Sequence, residues 1–150
     1  MNQLEQIKET LRDLLMSQQL AVLATHHDGQ PYASLVAFVA TADLKELLFA
    51  TSRNTRKFAN LTRDSRVSLL VDSRSNRDAD IHEAVAVTVI GTAAEVEEMD
   101  RGGCLGIYLG KHAHLEEFVR SPSCALIRVR VDSYNLVSRF QKVMELHVTP

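Results

Sequence analysis

The chain has 150 residues, 45% of them apolar and 24% charged, which suits one soluble domain with a sizeable core. Lys and Arg number 17 against 19 Asp and Glu, a net charge of -2 that excludes a general nucleic-acid binder. Aromatic residues make up 5% and Trp is absent, so stacking platforms for single strands are excluded too.

The longest apolar stretches, such as Ala33–Ala40, reach eight residues and fall far short of a membrane span. Met1–Glu5 carries neither the basic nor the apolar region of a secretory leader, so a cytoplasmic location without a membrane partner is expected. Cys104 and Cys124 stand apart, with no CxxC, and read as reduced thiols.

Leu4, Ile7, Leu11, Leu14 and Leu15 recur at steps of three and four, which predicts an amphipathic helix over Gln3–Ser17. Leu20–Thr25 is an apolar run, Asp28-Gly29 a hairpin turn, and Pro31–Ala40 the return strand. A third strand is predicted over Glu46–Thr51. The connections are too short for crossover helices, so these three runs form an antiparallel meander.

Asn54–Leu61 reads as a short helix with Phe58 and Leu61 inward, and Arg66–Val71 as a strand with Val67, Leu69 and Val71 on one face. Asp72–Asp80 is a polar loop. Ala84–Val96 gives the longest β signal, with Gly91 as a bulge or bend. Asp100–Leu109 and His114–Val119 read as helices, Cys124–Val137 as a long alternating strand, and Gln141–Val148 as a last one. The sum is a single domain over residues 1–150. Its class is mainly β with short α, an antiparallel barrel of six to seven strands with flanking helices.

The strongest chemical signal is Thr51-Ser52-Arg53-Asn54-Thr55-Arg56-Lys57, where a strand ends and a helix begins. Asn54 or Thr55 can cap that helix. Arg56 and Lys57 then occupy its first turn, the wrong sign for the local dipole, and Arg53 adds to the repulsion. A bound phosphate would turn this repulsion into attraction, because hydroxyls, backbone N–H groups and cations would converge on it. A solvated basic turn paired with carboxylates explains the same residues.

Other motifs fail. Gly106–Lys111 is one residue short of a P-loop, with His112 where Ser or Thr must stand. His26-His27 face opposite sides of a strand, and His112 and His114 are placed at a helix start. No metal site is expected. Glu95, Glu97 and Glu98 read as a solvated strand end, and no residue is assigned a catalytic role.

The order of Gly29-Gln30-Pro31-Tyr32, the strand Ala33–Val39, Leu48-Phe49-Ala50-Thr51 and Thr55-Arg56-Lys57-Phe58-Ala59-Asn60-Leu61 resembles the pyridoxamine 5'-phosphate oxidase-like family. Asp64–Val71 and Val87–Ala93 continue the likeness, which runs from about Leu20 to Val137. It implies a split β-barrel, a homodimer, and FMN at the subunit interface. Carried over by position, Arg56 and Lys57 would grip the flavin phosphate with Thr55 nearby, and Ala50 and Thr51 would line the site. Ser34, Leu35, Val36 and Ala37 would run beside the ring and offer it backbone hydrogen bonds.

The vitamin-synthesising oxidase itself has basic residues on the second strand, where this chain has Ser34 and Val39. Its closing segment of Arg, Trp and His has no counterpart in Arg139–Pro150. The likeness is therefore to compact relatives, whose last strands Val129–Ser138, Phe140 and Glu145-Leu146 resemble. These relatives include flavin-dependent reductases, users of the deazaflavin F420, and haem-handling proteins.

The expected function is an FMN-dependent oxidoreductase passing hydride or electrons to a small-molecule substrate. Two alternatives stay open: an F420-dependent reductase, and a non-enzymatic flavin or haem module with His112, His114 or His147 as axial ligand.

Overall fold

The computed structural model describes residues 2–138 and 142–150. Helix α1 spans Gln3–Ser17, the range its periodicity predicts. Asn2 caps it, the side-chain oxygen accepting the Glu5 N–H at 2.8 Å. Its buried face is Ile7, Leu11, Leu14 and Leu15, each worth about 1.5–3 kcal/mol on burial. Its last turn holds no basic residue, and a distant one takes that role. The Lys111 ammonium donates to the carbonyls of Leu15 at 2.9 Å and Gln18 at 2.6 Å.

Strand β1 (Leu20–His27) turns through Asp28-Gly29 into β2 (Gln30–Ala40). Both turn residues have positive φ, 48° and 81°, as a two-residue hairpin turn demands. There follow β3 (Glu46–Ser52), α2 (Arg56–Arg63), β4 (Arg66–Asp72), α3 (Asp80–Glu83) and β5 (Ala86–Glu95). Helix α4 (Glu98–Lys111), a 3-10 turn (Ala113–Leu115), α5 (Glu116–Arg120), β6 (Cys124–Ser138) and β7 (Lys142–His147) complete the order.

The sheet runs β3-β2-β1-β4-β5-β6-β7 with every pairing antiparallel. The β3–β6 pairing closes six of the strands into a barrel and leaves β7 on the edge of β6. The register between β5 and β6 slips at Gly91, where the sequence suggests a bulge or bend, but the extra residue is Asp132 on β6, since Ile90 pairs with Ser133 and Gly91 with Val131. A β-carbon on Gly91 would lie 2.3 Å from the Arg130 carbonyl oxygen, so no other residue fits without a shift.

Leu23, Val36, Phe38, Phe49, Leu69, Val89, Ile127 and Tyr134 fill the barrel with α1 packed against it. A second cluster lies outside the barrel. There α4 and α5 cover the outward residues of β3 and β6: Leu48, Ala50, Cys124 and Leu126 meet Cys104, Leu105, Tyr108 and Val119.

Some expected boundaries move. Helix α4 extends beyond the predicted Asp100–Leu109 at both ends, from Glu98 to Lys111, and His112 both closes it and opens the 3-10 turn Ala113–Leu115, so a helical start does fall there. Asp80 ends the polar loop by opening α3, where its carboxylate accepts the N–H groups of Ser75, Asn76 and Arg77. Of the last predicted strand, Gln141 lies outside the described residues, as does Phe140.

Candidate functional site

Thr55, not Asn54, caps α2: its hydroxyl oxygen accepts the Phe58 N–H at 3.3 Å. The Thr55 hydroxyl also lies 3.2 Å from that of Thr51 and 2.9 Å from the Ser52 carbonyl. Thr51 is buried at the end of β3, so the two hydroxyls form one knot between strand and helix. Lys57 is half-buried in the first turn, and among the described residues it has no hydrogen bond or ion pair. Arg56 is exposed, with its guanidinium 5.2 Å from the centre of the Tyr32 ring. It lines a cleft of about 510 Å³ between the β1–β2 hairpin and α2, with Tyr32, Asn60, Arg63 and His27.

Arg53 does not add to this charge. Its guanidinium grips Glu95 through two bonds of 2.7 and 2.6 Å and also reaches the Pro122 carbonyl at 3.3 Å. Glu95 ends β5 with its side chain exposed, as expected of a solvated strand end, and carries this ion pair there. Arg53 holds its carboxyl below the ordinary carboxylate range.

The four predicted residues of β2 divide by parity. In the two-residue hairpin, Gln30, Tyr32, Ser34 and Val36 bond their backbones to β1, so Ala33, Leu35 and Ala37 face the other edge. Strand β3 pairs with β2 only over Phe38–Ala40, then leaves to pair with β6, so that edge has no strand beside it. The backbone of Leu35 is therefore presented there, whereas those of Ser34 and Val36 are used within the sheet. The Ala37 carbonyl is also taken, by the Tyr108 hydroxyl at 3.0 Å. Tyr108 and its role were not visible in the sequence, because the contact with Ala37 spans 71 residues.

Ser34 follows Tyr32 on the inward face of β2. Its side-chain oxygen is buried without a hydrogen-bond partner.

The outward face of the sheet is apolar. Leu35 is 62% exposed and faces Val22, which on its other side faces Leu70, 37% exposed. Leu20 at 53% and Ile90 at 38% extend the patch along β1 and β5.

The three histidines differ in access. His112 is buried, with Nε2 at 2.7 Å from the Phe38 carbonyl and Nδ1 without a partner; burial holds it below its usual pKa. His147 lies on β7 with Glu145 at 3.4 Å. His114 is exposed, its ring centre 6.0 Å from that of His112. Among the described residues no three His, Cys, Asp or Glu side chains converge as a metal site, and no helix is long and apolar enough to cross a membrane.

Comparison with known proteins gives these positions a setting. The family model of pyridoxamine 5'-phosphate oxidase matches residues 7–138. No curated protein matches the chain. Among solved structures, the heme binding protein from Mycobacterium smegmatis superposes with a TM-score of 0.80 at 19% identity. That match covers 91% of this chain but only 55% of the other. General Stress Protein 26 from Bacillus anthracis gives 0.72 at 19% identity, covering 95% of this chain and 98% of that one. A FAD-binding protein from Mesorhizobium loti gives 0.69 at 17% identity, covering 86% and 90%. These likenesses establish the split-barrel fold, and the family match spans most of the sequence: the chain belongs to the pyridoxamine 5'-phosphate oxidase family.

Proposed function

We propose that the protein is an FMN-binding flavoprotein that acts as an oxidoreductase, working as a homodimer with the cofactor at the subunit interface. The observation that carries this reading is the half-buried Lys57, without a counter-charge, beside the paired hydroxyls of Thr51 and Thr55. A cation left in that state at the positive end of a helix favours a bound anion. Arg56, whose guanidinium stacks on the Tyr32 ring, adds a second cation on the same helix turn.

These residues fit a phosphate-bearing cofactor. Thr51, Thr55, Arg56 and Lys57 would hold the phosphate, and the free edge of β2 at Leu35 would meet the polar rim of a ring. When bound, a flavin supplies the hydride and electron chemistry. The chain's own contribution is to bind, orient and exclude water, and no acid–base residue is assigned.

The barrel interior is filled by side chains, so a ring must lie outside it. The exposed apolar surface of Leu20, Leu35, Leu70 and Ile90 is then best covered by a second copy, which would also cover the ring. A flavin is favoured over haem because His112 is buried with Nε2 engaged and His147 stands on the edge strand beside Glu145. The substrate is a small molecule of unassigned class.

The absorption spectrum and mass of the small molecule that copurifies test the reading. A flavin spectrum and the mass of FMN are expected. A haem spectrum, or the mass of F420, overturns the choice of cofactor.

A further inference from the structure

Residues of α1, α4, the end of β2 and the loop after it line two adjoining cavities of about 330 and 510 Å³. The two share Leu15, Met16, Ala40 and Ile107, so they form one groove. Leu15 and Leu44 are buried in its lining, whereas Met16 and Ile107 stand exposed on α1 and α4. Gly110 widens it at one end: a β-carbon there would meet nothing within 4 Å. A glycine inside a helix is costlier than alanine, and no turn or close approach calls for one at this position.

The lining carries two cations and no carboxylate. The cations stand at opposite ends, Lys111 in the smaller cavity and Arg12 in the larger. They are not equivalent. The Lys111 ammonium donates to the Leu15 and Gln18 carbonyls and lies 4.1 Å from the centre of the Phe38 ring, so its charge is already engaged. Arg12 is exposed and, among the described residues, has no hydrogen bond or ion pair. Asp43, in the neighbouring loop, is turned back on that loop, its carboxylate accepting the Thr41 hydroxyl at 2.7 Å and the Lys45 N–H at 3.0 Å. Arg12 and Gln18 lie about 9 Å apart along α1, which sets the length of the apolar stretch between the two ends.

We propose that this groove binds a free amphipathic anion, an apolar chain ending in a carboxylate, with the chain between Met16 and Ile107 and the head at Arg12. A guanidinium meets a carboxylate through two parallel bonds, and the flexible thioether of Met16 adapts to the chain beside it. The volume suits a small ligand. The groove shares no residue with the Thr51–Lys57 turn or with the Leu35 face, so the proposal stands whether or not a flavin binds there.

Calorimetric titration with octanoate, kept below the concentration at which it forms micelles, tests it. Each methylene taken out of water strengthens binding about fourfold, so octanoate should bind about a hundredfold more tightly than butanoate. Octylammonium should bind at least tenfold more weakly than octanoate, and Arg12→Glu should reverse that order. Gly110→Leu fills the inner end of the groove and should weaken octanoate at least tenfold. Both substitutions fall where the native structure leaves open space, so the fold is retained.

No binding of octanoate at millimolar concentration, or equal affinity for octanoate and octylammonium, overturns the proposal. Octanoate binding unchanged in Arg12→Glu and Gly110→Leu places the ligand elsewhere and overturns it too. If Ile107→Glu turns a dimer into a monomer, a second copy covers the groove and the proposal is likewise overturned.

Discussion

Arg53 and Glu95 are joined by two parallel bonds of 2.7 and 2.6 Å, which tie the loop after β3 to the end of β5, 42 residues away. The pair engages one of the three basic side chains of the Thr51–Lys57 turn and leaves Arg56 and Lys57 for the proposed phosphate site. Both partners are about two-fifths exposed, so screening limits the pair to about 1 kcal/mol.

The Glu95 carboxyl is held low chiefly by its hydrogen bonds to Arg53. A carboxyl depressed in the folded state stabilises above its ordinary pKa and loses that contribution as pH falls through the folded value. Glu95→Gln should therefore be less stable than the native chain at pH 7. The difference should shrink steadily below about pH 4. Urea denaturation at a series of pH values measures it, and a pH-independent difference would speak against the pair.

Arg56→Ala with Lys57→Ala should abolish retention of FMN without unfolding the barrel. Charge-assisted bonds are worth roughly 1.5–3 kcal/mol each, so losing two weakens binding by about two to four decades. Fluorescence titration of FMN against the double variant gives the number. Arg53→Ala should change affinity little by comparison, because Arg53 is already engaged by Glu95.

Lys111 behaves oppositely to a carboxyl in a salt bridge. Burial lowers its pKa from 10.5 to about 8, although two α1 carbonyls and the Phe38 ring at 4.1 Å favour the charged form. The cost of burying the ammonium is present below pH 8. It is relieved as pH rises from about 8 towards 10.5, because the unfolded chain then holds the proton and the folded chain does not. Native stability relative to Lys111→Met should therefore rise across that range. A flat difference from pH 7.5 to about 10 would show that the carbonyls and the ring offset the burial cost.

Gly91→Ala should cost roughly 1–3 kcal/mol, because the new methyl meets the backbone oxygen of Arg130 and not a movable side chain. Thermal melting of the variant reads this directly. An unchanged Tm would mean that β5 and β6 re-register freely at the bulge.

Much of this architecture was legible because its signals are local. The spacing of Ile7, Leu11, Leu14 and Leu15 predicted α1, Asp28-Gly29 marked the hairpin, and Gly91 marked the place where the register of β5 and β6 slips. The basic turn was legible for the same reason, since the Thr55 cap and the charges of Arg56 and Lys57 sit within three residues. What escaped is what depends on partners far along the chain. Arg53 looked like a phosphate ligand until β5 brought Glu95 to it. The parity that spends Ser34 and Val36 on β1 follows from the register, which the sequence suggests only through the turn. Tyr108 gave no signal, because its position on α4 has meaning only once β2 and β3 diverge beneath it. The helical start at His112 was legible, but not that the same residue also ends α4 with its ring bonded to the Phe38 carbonyl.

The central claim is a dimer holding one FMN per subunit at the Thr51–Lys57 turn, and the mass of the intact assembly tests it most directly. Native mass spectrometry of the protein saturated with FMN should give twice the chain mass plus two FMN, and the Arg56→Ala, Lys57→Ala variant should give the dimer without cofactor. A monomer carrying one tightly held FMN, or a dimer whose double variant retains its full complement of flavin, would contradict it.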